Sequence, residues 1–213
     1  MEHRGLEFYF WTTTNIQDRF FPCSDNPAQP QLQLVLAWLS PRIVNFARVL
    51  TSAFNAMNLS FLTQLQISID DYIGSKTWVK TFGKFPRLEQ VCTRYNSTHS
   101  FLEALVYKSE AAEKSKTAYR KVSFPKLLYI HVKGGYFPTT TSHLPSTSVD
   151  KLLDYLMERC ERNAEVQVLH LIECDISSNI VERLKEIVVD VIWDGIEGQL
   201  EKIDGSIDDS LRP

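Results

Sequence analysis

The chain has 213 residues, 44% of them hydrophobic and 23% charged, and a formal net charge of -3. That composition is globular, which excludes wholesale disorder and collagen-like structure. Its charge balance also gives bulk electrostatics no reason to seek nucleic acid or anionic membranes.

In chain order, Gly5–Trp11 and Gln31–Leu39 come first and alternate in the manner of strands. Ser40-Pro41 then opens a helix, with Ile43, Val44, Ala47 and Leu50 as its apolar stripe. Next comes a motif that recurs. Leu62, Leu65 and Ile67 fit L-x-x-L-x-L, as do Leu88, Val91 and Thr93, then Leu127, Ile130 and Val132. Val166–Ile176 extends it to L-x-x-L-x-L-x-x-N/C-x-L, with Cys174 at the Asn/Cys position; Asn96 is the counterpart after Leu88. Leu184, Ile187 and Val189 are taken as the last copy. From Leu62, the copies start 26, 39, 39 and 18 residues apart.

Two copies share a longer stretch. Phe85-Pro86-Arg87-Leu88-Glu89-Gln90-Val91 returns as Phe124-Pro125-Lys126-Leu127-Leu128-Tyr129-Ile130. Proline lacks a ladder donor, so it is expected to open each strand. Helical patterns fill the gaps between copies. Ser100-x-x-Glu103 reads as a capping box ahead of Phe101, Leu102, Leu105 and Val106. Ser148 precedes Val149, Leu152, Leu153, Leu156, Met157 and Cys160, and Asn179-x-x-Glu182 precedes a shorter helix. The order predicts an α/β fold: an irregular leucine-rich-repeat-like solenoid, its parallel strands on one face and helices behind. Residues 1–197 form that domain, best defined over 60–197, and residues 198–213 form an acidic, disordered tail.

Candidate chemistry is sparse. The sequence has no nucleophile elbow, phosphate loop, dinucleotide fingerprint or zinc-protease motif. Lys133-Gly134-Gly135 reads as a strand-end turn needing positive φ. Cys23, Cys92, Cys160 and Cys174 lack C-x-x-C spacing and are read as reduced, buried thiols. The histidines, His3, His99, His131, His143 and His170, are scattered, but His131 and His170 fall at equivalent outward positions of neighbouring strands. No metal, cofactor or catalytic residue is expected. With no secretion signal and no apolar stretch of membrane length, the expected location is intracellular, cytoplasmic or nuclear. Charge is uneven: Tyr107–Lys133 carries seven Lys or Arg against two Glu, and Asp190–Asp209 seven acids against Lys202.

The outward positions of the repeat strands form a strip of Gln64, Gln66, Gln90, Arg94, Tyr129, His131, Lys133, His170 and Glu173. This strip predicts a non-catalytic module that binds a protein or peptide, with Tyr129 and Arg94 as anchors. The rivals are a small hydrolase-like α/β enzyme using His131 or His170 as base, or a non-functional fragment.

Trp78–Glu89, the helical stretch from Ser100, Phe124–Ile130 and Leu184–Gly195 resemble the F-box and leucine-rich-repeat-like proteins expanded in mushroom-forming fungi. The likeness spans roughly residues 60–197. It implies a horseshoe-like domain that selects substrates for a cullin-based ubiquitin ligase. Residues 1–60 contain no F-box-like stretch. The resemblance therefore implies either the C-terminal part of a longer product or a stand-alone relative, with a ligase adaptor as partner only if an F-box lies upstream of Met1.

Overall fold

The computed structural model describes residues 4–11, 32–38, 46–57, 59–69, 73–94, 96–106, 123–135, 137 and 148–197. Among them, seven strands form one sheet in the order β2-β1-β3-β4-β5-β6-β7. The strands are β1 (Arg4–Trp11), β2 (Leu32–Trp38), β3 (Gln64–Ile69), β4 (Gln90–Arg94), β5 (Tyr129–Lys133), β6 (Val168–Ile172) and β7 (Asp190–Trp193). The described helices are α1 (Phe46–Ala56), α2 (Ser75–Thr81), α3 (Asn96–Val106), α4 (Ser148–Glu161) and α5 (Ser178–Lys185). Strands β3 to β7 are all parallel and lie side by side in chain order. The fold is α/β.

The repeated motif has a direct structural counterpart. Leu65, Val91, Ile130, Leu169 and Val191 lie opposite one another across the five parallel strands. Leu62, Leu88, Leu127, Val166 and Val188, each three residues earlier, are all buried. The carbonyl following that buried residue receives the next strand's first N–H each time. Gln90 donates to Thr63, Tyr129 to Glu89, Val168 to Leu128 and Asp190 to Gln167, at 3.0–3.1 Å. This corrects the last copy. Leu184 lies in α5, so the copy is Val188, Val191 and Trp193 rather than Leu184, Ile187 and Val189. The apolar run there fits the motif in more than one frame, and the helix claims the earlier one.

Four further expectations are corrected. Strands β1 and β2 do not continue the parallel array expected over residues 1–197, because β1 runs antiparallel to both β2 and β3. Pro86 and Pro125 do not open strands. They sit in turns closed by Leu88 N–H on Phe85 O and Leu127 N–H on Phe124 O, where a fixed φ is useful. Ser100 does not cap α3, which already begins at Asn96. Ser100 is buried mid-helix and accepts a hydrogen bond from Trp78 Nε1 at 3.0 Å. The N-cap of α5 is Ser177, two residues before the expected Asn179, and the Glu197 carboxylate accepts the Ser178 N–H. The Ser40-Pro41 helix start, the tail 198–213 and most of the basic stretch lie outside the described residues.

The core lies between the helices and one face of the sheet. Trp78, Phe82, Phe101 and Phe124 run through it as a chain of tilted and edge-on rings with centroids 5.1–5.8 Å apart. Thr93 holds the third apolar position in the second copy. It is fully buried there because its hydroxyl pairs with that of Thr98 at 3.2 Å. Along β3 to β6 the apolar strand positions and Thr93 thus face the core, and the alternate positions, which carry the glutamine, histidine, arginine and lysine side chains, lie on the opposite face.

Candidate functional site

Strand alternation places every second residue on the polar face. Parallel register then aligns those residues into rows. One row is Gln64, Gln90, Tyr129, Val168 and Asp190; the next is Gln66, Cys92, His131, His170 and Ile192. A third aligns Ser68, Arg94, Lys133 and Ile172. Glu173 follows Ile172 in a left-handed conformation, φ 52°, and its carboxylate reaches Lys133 Nζ at 3.3 Å.

All nine residues of the expected strip therefore fall on or beside one face. Their exposure differs. Gln64, Gln66, Gln90, His131, Lys133 and His170 are buried, Arg94 and Tyr129 are half-buried, and Glu173 is exposed.

His131 and His170 are brought into contact. Their Nδ1 atoms lie 3.3 Å apart and their rings meet edge-on, with centroids 5.3 Å apart. Gln90 Nε2 lies 3.1 Å from His131 Nε2. An amide nitrogen only donates, so His131 Nε2 accepts and its proton sits on Nδ1, directed at His170 Nδ1. Burial, reinforced by His170, pushes the His131 pKa down to about 3, so the ring is neutral at physiological pH. Burial also lowers His170, against the pull of Asp194 and Asp190. A base this weak is poorly matched to proton abstraction near neutrality. The hydrogen-bond partners of His131 are Gln90 and His170, neither a carboxylate nor a nucleophile.

Beside this pair, Gln64 Nε2, Gln66 Oε1 and Gln90 Oε1 are buried without hydrogen-bond partners. Such atoms are destabilising unless satisfied from outside the protein. The face therefore retains hydrogen-bonding capacity of both signs. Among the described residues, no three His, Cys, Asp or Glu side chains gather for a metal.

At the Asn/Cys positions, Cys174 Sγ lies 3.5 Å from Val132 O and 3.3 Å from Ile172 O, where the chain leaves β6. Asn96 is the first residue of α3. Cys160 and Cys174 are free, but Cys92 is disulfide-bonded, which corrects the expectation of four reduced thiols. Its partner lies outside the described residues. Disulfides join residues distant in sequence, so spacing alone does not reveal them.

Sequence reasoning missed Arg159. On α4, it is almost wholly buried, and its guanidinium donates to Ser123 O, Phe124 O, Leu127 O and the Tyr155 hydroxyl at 2.6–3.1 Å. It ties α4 to the turn that launches β5. The only signal in the sequence is an arginine beside the apolar stripe of that helix. No described helix is long and apolar enough to cross a membrane. No family model, curated protein or solved structure matches the chain.

Proposed function

We propose that the chain is a non-catalytic protein-binding module built as a leucine-rich-repeat-like solenoid, whose polar sheet face recognises a protein or peptide. One observation carries this reading. Three polar rows cross β3 to β6 in step, with half-buried Tyr129 and Arg94 among them and exposed Glu173 at the margin. Tyrosine and arginine are the side chains most often dominant in binding energy. The equivalent carbonyls of Thr63, Glu89, Leu128 and Gln167, each receiving the next strand's first N–H, support a repeating unit.

The resemblance described above extends the proposal. The module would select substrates for a cullin ligase, with Gln64, Gln66, Gln90, Arg94, Tyr129, His131, Lys133, His170 and Glu173 as its recognition strip. The adaptor enters only through an F-box upstream of Met1. An intracellular location belongs to the same reading, and a reducing cytosol would open the Cys92 disulfide.

The test is in-cell crosslinking with wild type, Tyr129→Ala and Arg94→Ala. Both variants should lose a shared crosslinked partner while keeping the wild-type thermal transition. Retention of every partner by the double variant, with its fold intact, overturns the reading.

A further inference from the structure

The sheet ends at β7, and no described strand lies beyond it. Asp190 N–H donates to Gln167 O, so Asp190 and Ile192 direct their backbone groups toward β6. Successive residues of a strand present their N–H and C=O groups to opposite edges. Val191 and Trp193 therefore direct theirs outward, away from the sheet. Among the described residues nothing pairs with this outer edge: Val189 is 80% exposed, and Val191, Ile192 and Trp193 are half-buried, with Val191 and Trp193 packed against the core. A row of open backbone donors and acceptors is a template for another strand.

Charge decides which strand fits. From Glu186 to Glu197 the chain has four acids, Glu186, Asp190, Asp194 and Glu197, and no lysine or arginine. All four are exposed. Asp194 and Glu197 also serve the local fold, accepting the N–H groups of Glu173 and Ser178, so their exposed carboxylates lie toward β6 and α5 and act on the edge as nearby charge. A second copy pairing through the same edge would set acids against acids, and like charges across strands are destabilising. A strand carrying lysine or arginine would meet complementary charge at both ends.

We infer that the outer edge of β7 docks an extended, basic segment of a protein partner, which adds to the sheet as a further strand. Its backbone pairs with Val191 and Trp193, and its flanking cations are drawn by the negative charge of Asp190 and Asp194. Asp190 also closes one row of the polar face, but pairing here uses the outward backbone of Val191 and Trp193, which Tyr129→Ala and Arg94→Ala leave intact, so the fate of either proposal leaves the other standing.

The experiment is amide hydrogen exchange by NMR on the full chain, with a probe peptide Lys-Thr-Val-Thr-Val-Thr-Lys and a control ending in Glu at both positions. The basic peptide should slow exchange at Val191 and Trp193 saturably and lose affinity as salt rises. Asp190→Lys should weaken it several-fold. Val191→Pro removes an outward N–H without touching the β6 ladder and should abolish it. If that variant does not fold, the exposed Asp190→Lys decides. Equal protection by the acidic peptide, no protection by either at millimolar concentration, or protection that rises with protein concentration alone overturns the inference.

Discussion

His131 and His170 face each other through their Nδ1 atoms at 3.3 Å, one from β5 and one from β6, on a face that also carries Gln64, Gln66, Gln90, Arg94 and Lys133. The contact requires at least one bare nitrogen. At most one of the two rings can therefore be charged, and adding a proton to both would replace attraction with repulsion in a desolvated place.

This makes stability depend on pH in a definite direction. The folded pKa of His131 is about 3, against 6.5 for a free imidazole. A folded pKa that is depressed means the unfolded chain takes up the proton first. The contribution is complete above pH 6.5 and declines as pH falls toward the folded value. Between pH 7.5 and 5 the loss from His131 alone is about 2 kcal/mol. The lowered pKa of His170 acts in the same direction. Urea midpoints across that range should fall for wild type and fall less for His131→Gln. A flat wild-type profile would show that the rings are not held neutral.

Arg159 should be among the most sensitive positions in the chain. Its guanidinium serves three carbonyls in the turn before β5 and the Tyr155 hydroxyl, whose pKa burial raises to about 12. Arg159→Leu fills the space but leaves those acceptors orphaned, and it should cost about 3 kcal/mol or more. Arg159→Lys keeps the charge but not the fork, and should recover less than half. Chemical denaturation of the two variants checks both statements. An Arg159→Lys variant as stable as wild type would mean that the charge, not the planar geometry, holds the turn.

Gly134 and Gly135 are adjacent but required for different reasons. Gly134 has φ 68°, whereas a Cβ on Gly135 would lie 2.8 Å from both Val132 Cγ1 and the Phe137 ring. Gly134→Ala should therefore cost about 1 kcal/mol, and Gly134→Asn less, because asparagine tolerates the left-handed region. Gly135 should reject both, at about 1–3 kcal/mol each. Thermal melts of the four variants separate conformational strain from overpacking, and a melt of Gly134→Asn as low as Gly135→Asn would refute the distinction.

The strands from β3 to β6 were legible because each buries a fixed set, such as Leu127, Ile130 and Val132, whose spacing only a strand and its entry turn explain. The nine polar positions followed from the same register. Three other features could not be read this way. The antiparallel direction of β1 is a pairing choice, and alternation is the same in either sense. The choice of Val188 over Leu184 depends on where α5 ends, since Leu184, Ile187, Val188, Val189 and Val191 satisfy two frames. Burial of Gln64, Gln66 and His131 is a tertiary property, and a glutamine in a sequence gives no sign of whether water reaches it. The same holds for Arg159, whose partners are backbone oxygens more than 30 residues away.

Cys174 should be chemically silent in the native state. Its thiol is directed at the carbonyls of Val132 and Ile172, and burial pushes its pKa up to about 12. The thiolate is the reactive species, so alkylation at pH 8 has almost nothing to attack until the chain opens. Cys160 is also raised by burial, but it is only half-buried, and its Sγ lies 3.7 Å from Ile187 O. Iodoacetamide labelling followed by mass spectrometry should therefore modify Cys160 first. Cys174 should follow at the rate of global unfolding, accelerating in urea in step with loss of the fold. Native-state labelling of Cys174 as fast as Cys160 would mean that the turn after β6 opens locally, and that the sulfur does not secure it. In that case Cys174→Ala should leave the thermal transition unchanged; if the sulfur does hold the turn, the same variant should lower it.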